Sequence, residues 1–134
     1  MEDAERVEDF LEALTQEIVL RREEFGSAPY GTIFFGGGTP SLLAPRQLES
    51  ILTRLHAAVR IASDAEITLE ANPGTVTPDS LRAFRALGVN RLSVGIQSFH
   101  DRELIFLGRL HDRAGAFRCI GWARSAGFEN IGID

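Results

Sequence analysis

Four short apolar runs, each ending in glycine or a polar residue, set the frame of this chain. Thr32 to Phe35 runs into Gly36-Gly37-Gly38-Thr39, and Glu66 to Glu70 ("EITLE") ends in an acid with Asn72 just beyond. Arg91 to Ile96 ("RLSVGI") gives way to Gln97, and Asn130 to Asp134 ("NIGID") ends in a second acid. The segments between these runs carry apolar residues at helical spacing. Such an alternation with short joins predicts an α/β fold, a parallel sheet covered by helices. The weak βα repeat suits a (β/α) barrel and a doubly wound sheet equally, so the pattern alone does not choose.

The helical segments are marked by their ends as well as their period. From Ala4 to about Phe25, Val7, Phe10, Leu11, Leu14 and Ile18 form one apolar stripe, and Gly26 is a stop. A second helix is predicted from Pro45 to about Val59, with Leu48, Ile51, Leu52 and Leu55 on one face. Thr77-Pro78 opens a third, a hydroxyl cap followed by proline in the first turn, and Gly88 closes it. A helical turn around Arg102 to Leu107 precedes a last helix from about Arg113 to Ala126, ended by Gly127. Thr32 to Phe35 reads as a short buried strand. No linker or low-complexity run divides the 134 residues, which predicts one domain with its own core.

Charge and cysteine usage narrow the function classes. The net charge is −5 with no block of Lys or Arg, which argues against a nucleic-acid or anionic-membrane surface. No apolar run approaches the roughly 20 residues that span a bilayer. A single cysteine, Cys119, has no internal partner for a disulfide, and a cytoplasmic location is expected.

Strand ends carry the candidate site. In parallel α/β architectures the carboxyl ends of adjacent strands share one rim, where ligands bind. Gly36-Gly37-Gly38-Thr39, Glu70, Gln97 and Asp134 then face one pocket. The glycines are no P-loop, because no Gly-Lys-Ser/Thr follows, and Pro40 interrupts any direct G-x-G-x-x-G start of a helix. Ordering three glycines costs about 1.5–3 kcal/mol. What they offer is close approach of a ligand to main-chain groups, including carbonyls able to receive an ammonium. A tight turn needing positive φ explains one or two glycines equally well. For Glu70 or Gln97 taken singly, a structural hydrogen bond is as good an account as a ligand contact. Their joint position favours a site, with the acids suited to ribose hydroxyls or positive charge.

"GGGTPS", "EITLEANPGTVT", "GVNRLSVGIQSF" and "LGRLHD", in that order and spacing, resemble the HemN/HemW-type branch of the radical S-adenosylmethionine (SAM) family. That branch holds oxygen-independent coproporphyrinogen III dehydrogenases and related heme chaperones. The resemblance runs from about Tyr30 to Asp134. "LEANPGT" and "IQSF" are closer to the chaperones than to the dehydrogenases, which resemble "VDP" and "VQDF" there. It implies part of a partial (β/α) TIM barrel over residues 1–134, truncated at both ends. It also implies SAM as cofactor, with Gly37, Gly38 and Thr39 around its methionine part and Glu70 and Gln97 at strand ends beside it. Arg109, which periodicity does not flag, would pair with the carboxylate, and Asp134 would take a ribose hydroxyl.

The family's [4Fe–4S] cluster is held by a C-x3-C-x2-C motif upstream of the first helix, and this sequence has only Cys119, far from that place. The chain alone is therefore expected to bind no cluster and to be inactive, and whether the longer protein is an enzyme stays open. Heme or porphyrin is implied as a ligand and a heme-accepting protein as a partner. His56, His100 and His111 are read as solvated or capping residues ahead of heme ligands, and Tyr30 and Trp122 as packing residues. Two alternatives remain: a coproporphyrinogen III dehydrogenase, and a generic α/β nucleotide-binding domain.

Overall fold

The computed structural model describes residues 2–134, in which four strands alternate with helices. The elements are α1 (Glu2–Leu20), β1 (Tyr30–Phe35), α2 (Pro45–Ala58), β2 (Ile61–Ala71), α3 (Pro78–Ala86), β3 (Arg91–Val94), α4 (Asp101–Phe106), α5 (Arg113–Ser125) and β4 (Asn130–Ile133). Short 3-10 turns at Pro40–Leu42 and Pro73–Thr75 follow β1 and β2. The sheet order β1-β2-β3-β4 is sequential. A doubly wound sheet reverses its order at a switch point, whereas a barrel winds one way, so the order belongs to a barrel segment.

The chain divides into two compact units. One comprises residues 1–31 and 46–65, with α1 and nearly all of α2. Leu11 and Ile18 of α1 and Leu48, Ile51 and Leu52 of α2 are buried. The apolar stripe expected of α1 is narrower than its spacing suggests, since Phe10 is 62% exposed. The helix also stops at Leu20 instead of reaching Phe25. Beyond Leu20 the polar run Arg21-Arg22-Glu23-Glu24 has nothing to bury, and it forms turns closed by Arg21 N–H to Glu17 O and Glu24 N–H to Arg21 O.

The second unit comprises residues 32–45 and 66–134. Its strands pair in parallel, with Thr68 opposite Arg91 and Arg91 opposite Asn130, then Glu70 opposite Ser93 and Ser93 opposite Gly132. Alternation sorts their faces. Ile67, Leu69, Ala71, Leu92 and Val94 are buried with Leu81 and Phe84 of α3 and Ala116, Cys119 and Ala123 of α5. Glu66, Thr68, Glu70, Arg91 and Ser93 take the intervening positions and share the other face.

Local signals account for the helices of this unit. Thr77 and Ser80 form a reciprocal capping box at the start of α3, Ser80 N–H donating to Thr77 Oγ1 at 3.1 Å. Asp112 Oδ1 receives Gly115 N–H at 2.6 Å at the start of α5. β1 departs from the buried strand expected: Phe34 is 59% exposed, because β1 lies at the end of the strand order and has a pairing neighbour on one side. β2 is longer than expected, with exposed Ser63 and Asp64 in its first half hiding the strand pattern.

Candidate functional site

All the strand-end residues singled out in the sequence meet in the second unit. Gly38, Thr39, Glu70, Gln97, Arg109 and Asp134 line one cleft of about 210 Å³, together with Pro40, Ala71, Asn72, Ser93 and Gly95. Gly37 adjoins it through its N–H, which donates to Glu70 Oε2 at 3.1 Å.

The glycine loop is both a turn and an opening. Gly37 and Gly38 adopt left-handed φ values of +84° and +59°, which L side chains rarely tolerate. A Cβ at either would meet nothing within 4 Å, so the main chain borders open space there. The loop is pinned at its far end, where Ser41, 3% exposed, shares a hydrogen bond of 2.6 Å with Thr75 Oγ1. Glu70 thus has the structural hydrogen bond weighed from sequence: one carboxylate oxygen fixes the loop, and the residue still lines the cleft.

β3 ends two residues earlier than its apolar run. Ile96 N–H donates to Val94 O at 2.9 Å, which turns the chain, and Gln97 follows with φ +70°, a conformation rare for residues other than glycine. Two contacts hold Gln97 there: its N–H donates to Asp134 O at 2.6 Å and its Nε2 to Asp134 Oδ2 at 3.2 Å. A residue kept in such a conformation by its surroundings points to a functional constraint.

Arg109 enters from the loop after α4. Its Nη2 donates to Asn72 Oδ1 at 2.5 Å and to Gly95 O at 2.6 Å. Asn72 in turn donates through Nδ2 to Thr39 Oγ1 at 3.4 Å. A Cβ on Gly95 would stand 2.9 Å from Asn72 Oδ1 and 3.2 Å from Arg109 Nη2, so only glycine admits this arrangement. Asn72 and Ser93 are the polar lining residues to which the sequence gives no part. Asn72 was visible as a polar residue just past a strand. Ser93 alternates with buried Leu92 and Val94, which places it on the opposite face.

The donor set distinguishes two cofactors. One guanidinium and two carboxylates give the cleft a net charge near −1, with open glycine main chain beside them. SAM carries a sulfonium, an ammonium and a carboxylate, for a net charge near +1, and these groups fit it. An iron–sulfur cluster needs thiolates. Cys119 is buried in α5, and burial pushes its thiol up to about 11. Among the described residues no group of three or more His, Cys, Asp or Glu could hold a metal ion. The residues present do not fit a cluster.

His56 lies exposed in the last turn of α2, His100 precedes α4, and His111 Nε2 is 3.2 Å from Ile96 O. Tyr30 meets Phe25 edge-on with centroids 6.3 Å apart. No described helix is long and apolar enough to cross a membrane.

The radical SAM superfamily model matches residues 4–134. The heme chaperone HemW of Bacillus subtilis (strain 168) is 38% identical over 129 residues, covering 96% of this chain and 34% of that protein. HemW of Escherichia coli (strain K12) is 45% identical over 103 residues, 77% of this chain and 27% of that one. Among solved structures, coproporphyrinogen III oxidase (HemN) from Escherichia coli, described as a radical SAM enzyme, aligns with a TM-score of 0.88. It is 34% identical and covers 96% of this chain and 30% of its own. The chain therefore spans about a third of the length of the proteins it matches.

Proposed function

The chain belongs to the radical SAM superfamily, and from that membership we propose that its cleft binds SAM within a longer protein of the heme-chaperone type. The generic nucleotide-binding reading gives way to that membership. The observation that carries the proposal is the gathering of the glycine loop, Glu70, Gln97, Arg109 and Asp134 on one cleft.

The roles follow from chemistry. Arg109 presents a planar fork suited to the carboxylate of SAM. Glu70 braces the Gly37 N–H with one oxygen, and its carboxylate together with open loop carbonyls suits the ammonium. Asp134, aligned by Gln97, accepts from ribose hydroxyls. The sulfonium is attracted by the excess of acid. The phosphates of ATP or NAD would instead meet two carboxylates at close quarters, an unfavourable encounter. When bound, SAM supplies a sulfonium that reductive cleavage can open. This chain's own residues bind and orient it, and cluster ligands would come from outside these residues.

Heme or porphyrin as ligand, a heme-accepting partner and a cytoplasmic location belong to the same proposal, supported by the similarity to HemW proteins of two bacteria. A coproporphyrinogen dehydrogenase is the second reading, favoured by the structural likeness to HemN. Titration of the chain with SAM, ATP and NAD tests the first step: saturable binding of SAM alone supports it, and equal or absent binding sinks it. For the longer protein, heme uptake without conversion of coproporphyrinogen supports the chaperone, and conversion supports the second reading.

A further inference from the structure

Arg109 and His111 stand two residues apart on the loop between α4 and α5, and their side chains reach consecutive main-chain carbonyls just past β3. Arg109 Nη2 donates to Gly95 O at 2.6 Å, and His111 Nε2 lies 3.2 Å from Ile96 O. A carbonyl oxygen only accepts, so Nε2 of His111 carries the proton. The Ile96–Gln97 peptide is thereby held from both sides. Its carbonyl receives His111, and its N–H donates to Asp134 O at 2.6 Å.

We propose that His111 is a positioning residue that locks the Ile96–Gln97 peptide and so keeps Gln97 against Asp134 at one wall of the cleft. The proposal rests on the SAM reading of the cleft, in which Asp134 takes a ribose hydroxyl.

The lock is needed because this peptide is the soft point of the segment. Ile96 is fixed by its buried side chain and by its N–H bond to Val94 O at 2.9 Å. Gln97 follows with φ +70°, a costly value for a residue with a side chain. Half a turn of the peptide between them would return that φ to the ordinary negative range. It would also swing the Gln97 N–H away from Asp134 and bring the Ile96 carbonyl toward the Asp134 carbonyl. With His111 removed, the strain at Gln97 is opposed by the bonds to Asp134 alone. His111 itself has a firm base: Arg109 N–H donates to Leu104 O at 2.9 Å before it, and Asp112 caps α5 after it.

The test uses two variants and two ligands. His111→Ala should weaken SAM binding about tenfold, and His111→Gln, whose side-chain N–H can reach the same carbonyl, should restore it to within about twofold. Decarboxylated SAM keeps the ribose and lacks the carboxylate, so His111→Ala should weaken it by the same factor. A loss confined to SAM would mean that His111 acts through Arg109 and the carboxylate, and it overturns the proposal. So does a His111→Gln chain that binds no better than His111→Ala, or wild-type affinity in His111→Ala.

NMR without ligand separates this inference from the SAM reading. In the wild-type chain the neutral His111 ring should carry its proton on Nε2, and the Gln97 amide should exchange slowly with solvent. In His111→Ala that amide should exchange at least about tenfold faster, and in His111→Gln it should slow again. A wild-type ring protonated on Nδ1, or unchanged Gln97 exchange in His111→Ala, overturns the positioning role. A wild-type chain that binds no SAM but keeps these signatures overturns the SAM reading and leaves His111 as the residue that locks the peptide.

Discussion

Gly95→Ala adds one methyl group at the point where the cleft is tightest. The new Cβ would stand 2.9 Å from Asn72 Oδ1, closer than real Cβ atoms come, and 3.2 Å from Arg109 Nη2. Gly95 has no positive φ, so the substitution brings no backbone strain, and alanine lowers the entropy of the unfolded chain by about 0.4–1 kcal/mol. The cost therefore falls on the side chains. Asn72 cannot step aside without loosening its bonds to Arg109 and Thr39. Loss of the Arg109 bond removes about 1.5–3 kcal/mol, the range for a hydrogen bond to a charged group. The two terms partly cancel in stability, so thermal unfolding should lose about 0.5–2.6 kcal/mol. They do not cancel in binding, where a displaced fork should weaken SAM by about tenfold to a hundredfold. Calorimetric titration beside thermal melts measures both. Gly121→Ala is the control: nothing lies within 4 Å of its Cβ position in α5, and it should stabilise by about 0.5–1 kcal/mol without touching SAM affinity. Wild-type SAM binding by Gly95→Ala would refute the packing argument at the Asn72–Arg109 junction.

Thr77→Ala removes the cap of α3, which receives Ser80 N–H at 3.1 Å, and should cost about 0.5–2 kcal/mol in urea unfolding. Cys119, with its thiol raised from 9.0 to about 11 by burial, favours the protonated folded state. Its contribution to stability is full below pH 9 and falls as pH rises through about 11, which denaturation midpoints across that window would show. Ile105, Phe106 and Leu110 are 77%, 89% and 96% exposed, so the isolated chain should associate with concentration in sedimentation, and Phe106→Ser should reduce that. A monomer at all concentrations would contradict it.

The sequence made some of this architecture plain and hid the rest for identifiable reasons. α3 was legible at both ends because Thr77-Pro78 and Gly88 are local signals, and the capping box needs no tertiary partner. The four strand ends were legible because each breaks an apolar run. The first half of β2 was not, because exposed Ser63 and Asp64 break the apolar pattern. The exposure of Phe34 depends on where β1 falls in the sheet, which local pattern does not encode. The candidate residues were recognisable one by one. Their internal partners were not: the Gly37–Glu70 bond joins residues on different elements, and the bridge made by Asn72 exists only once β2 and the α4–α5 loop are brought together. The left-handed Gln97 was also hidden, since its conformation is imposed by Asp134 at the end of another strand.

The central claim is that the cleft at the strand ends is a SAM site. It is tested most directly by amide chemical shifts recorded while the chain is titrated with SAM. Saturable shifts at Gly37, Gly38, Thr39, Gln97 and Asp134, lost in Arg109→Ala and not produced by ATP or NAD, are predicted. Shifts centred elsewhere, or an unperturbed glycine loop at saturating SAM, would contradict it.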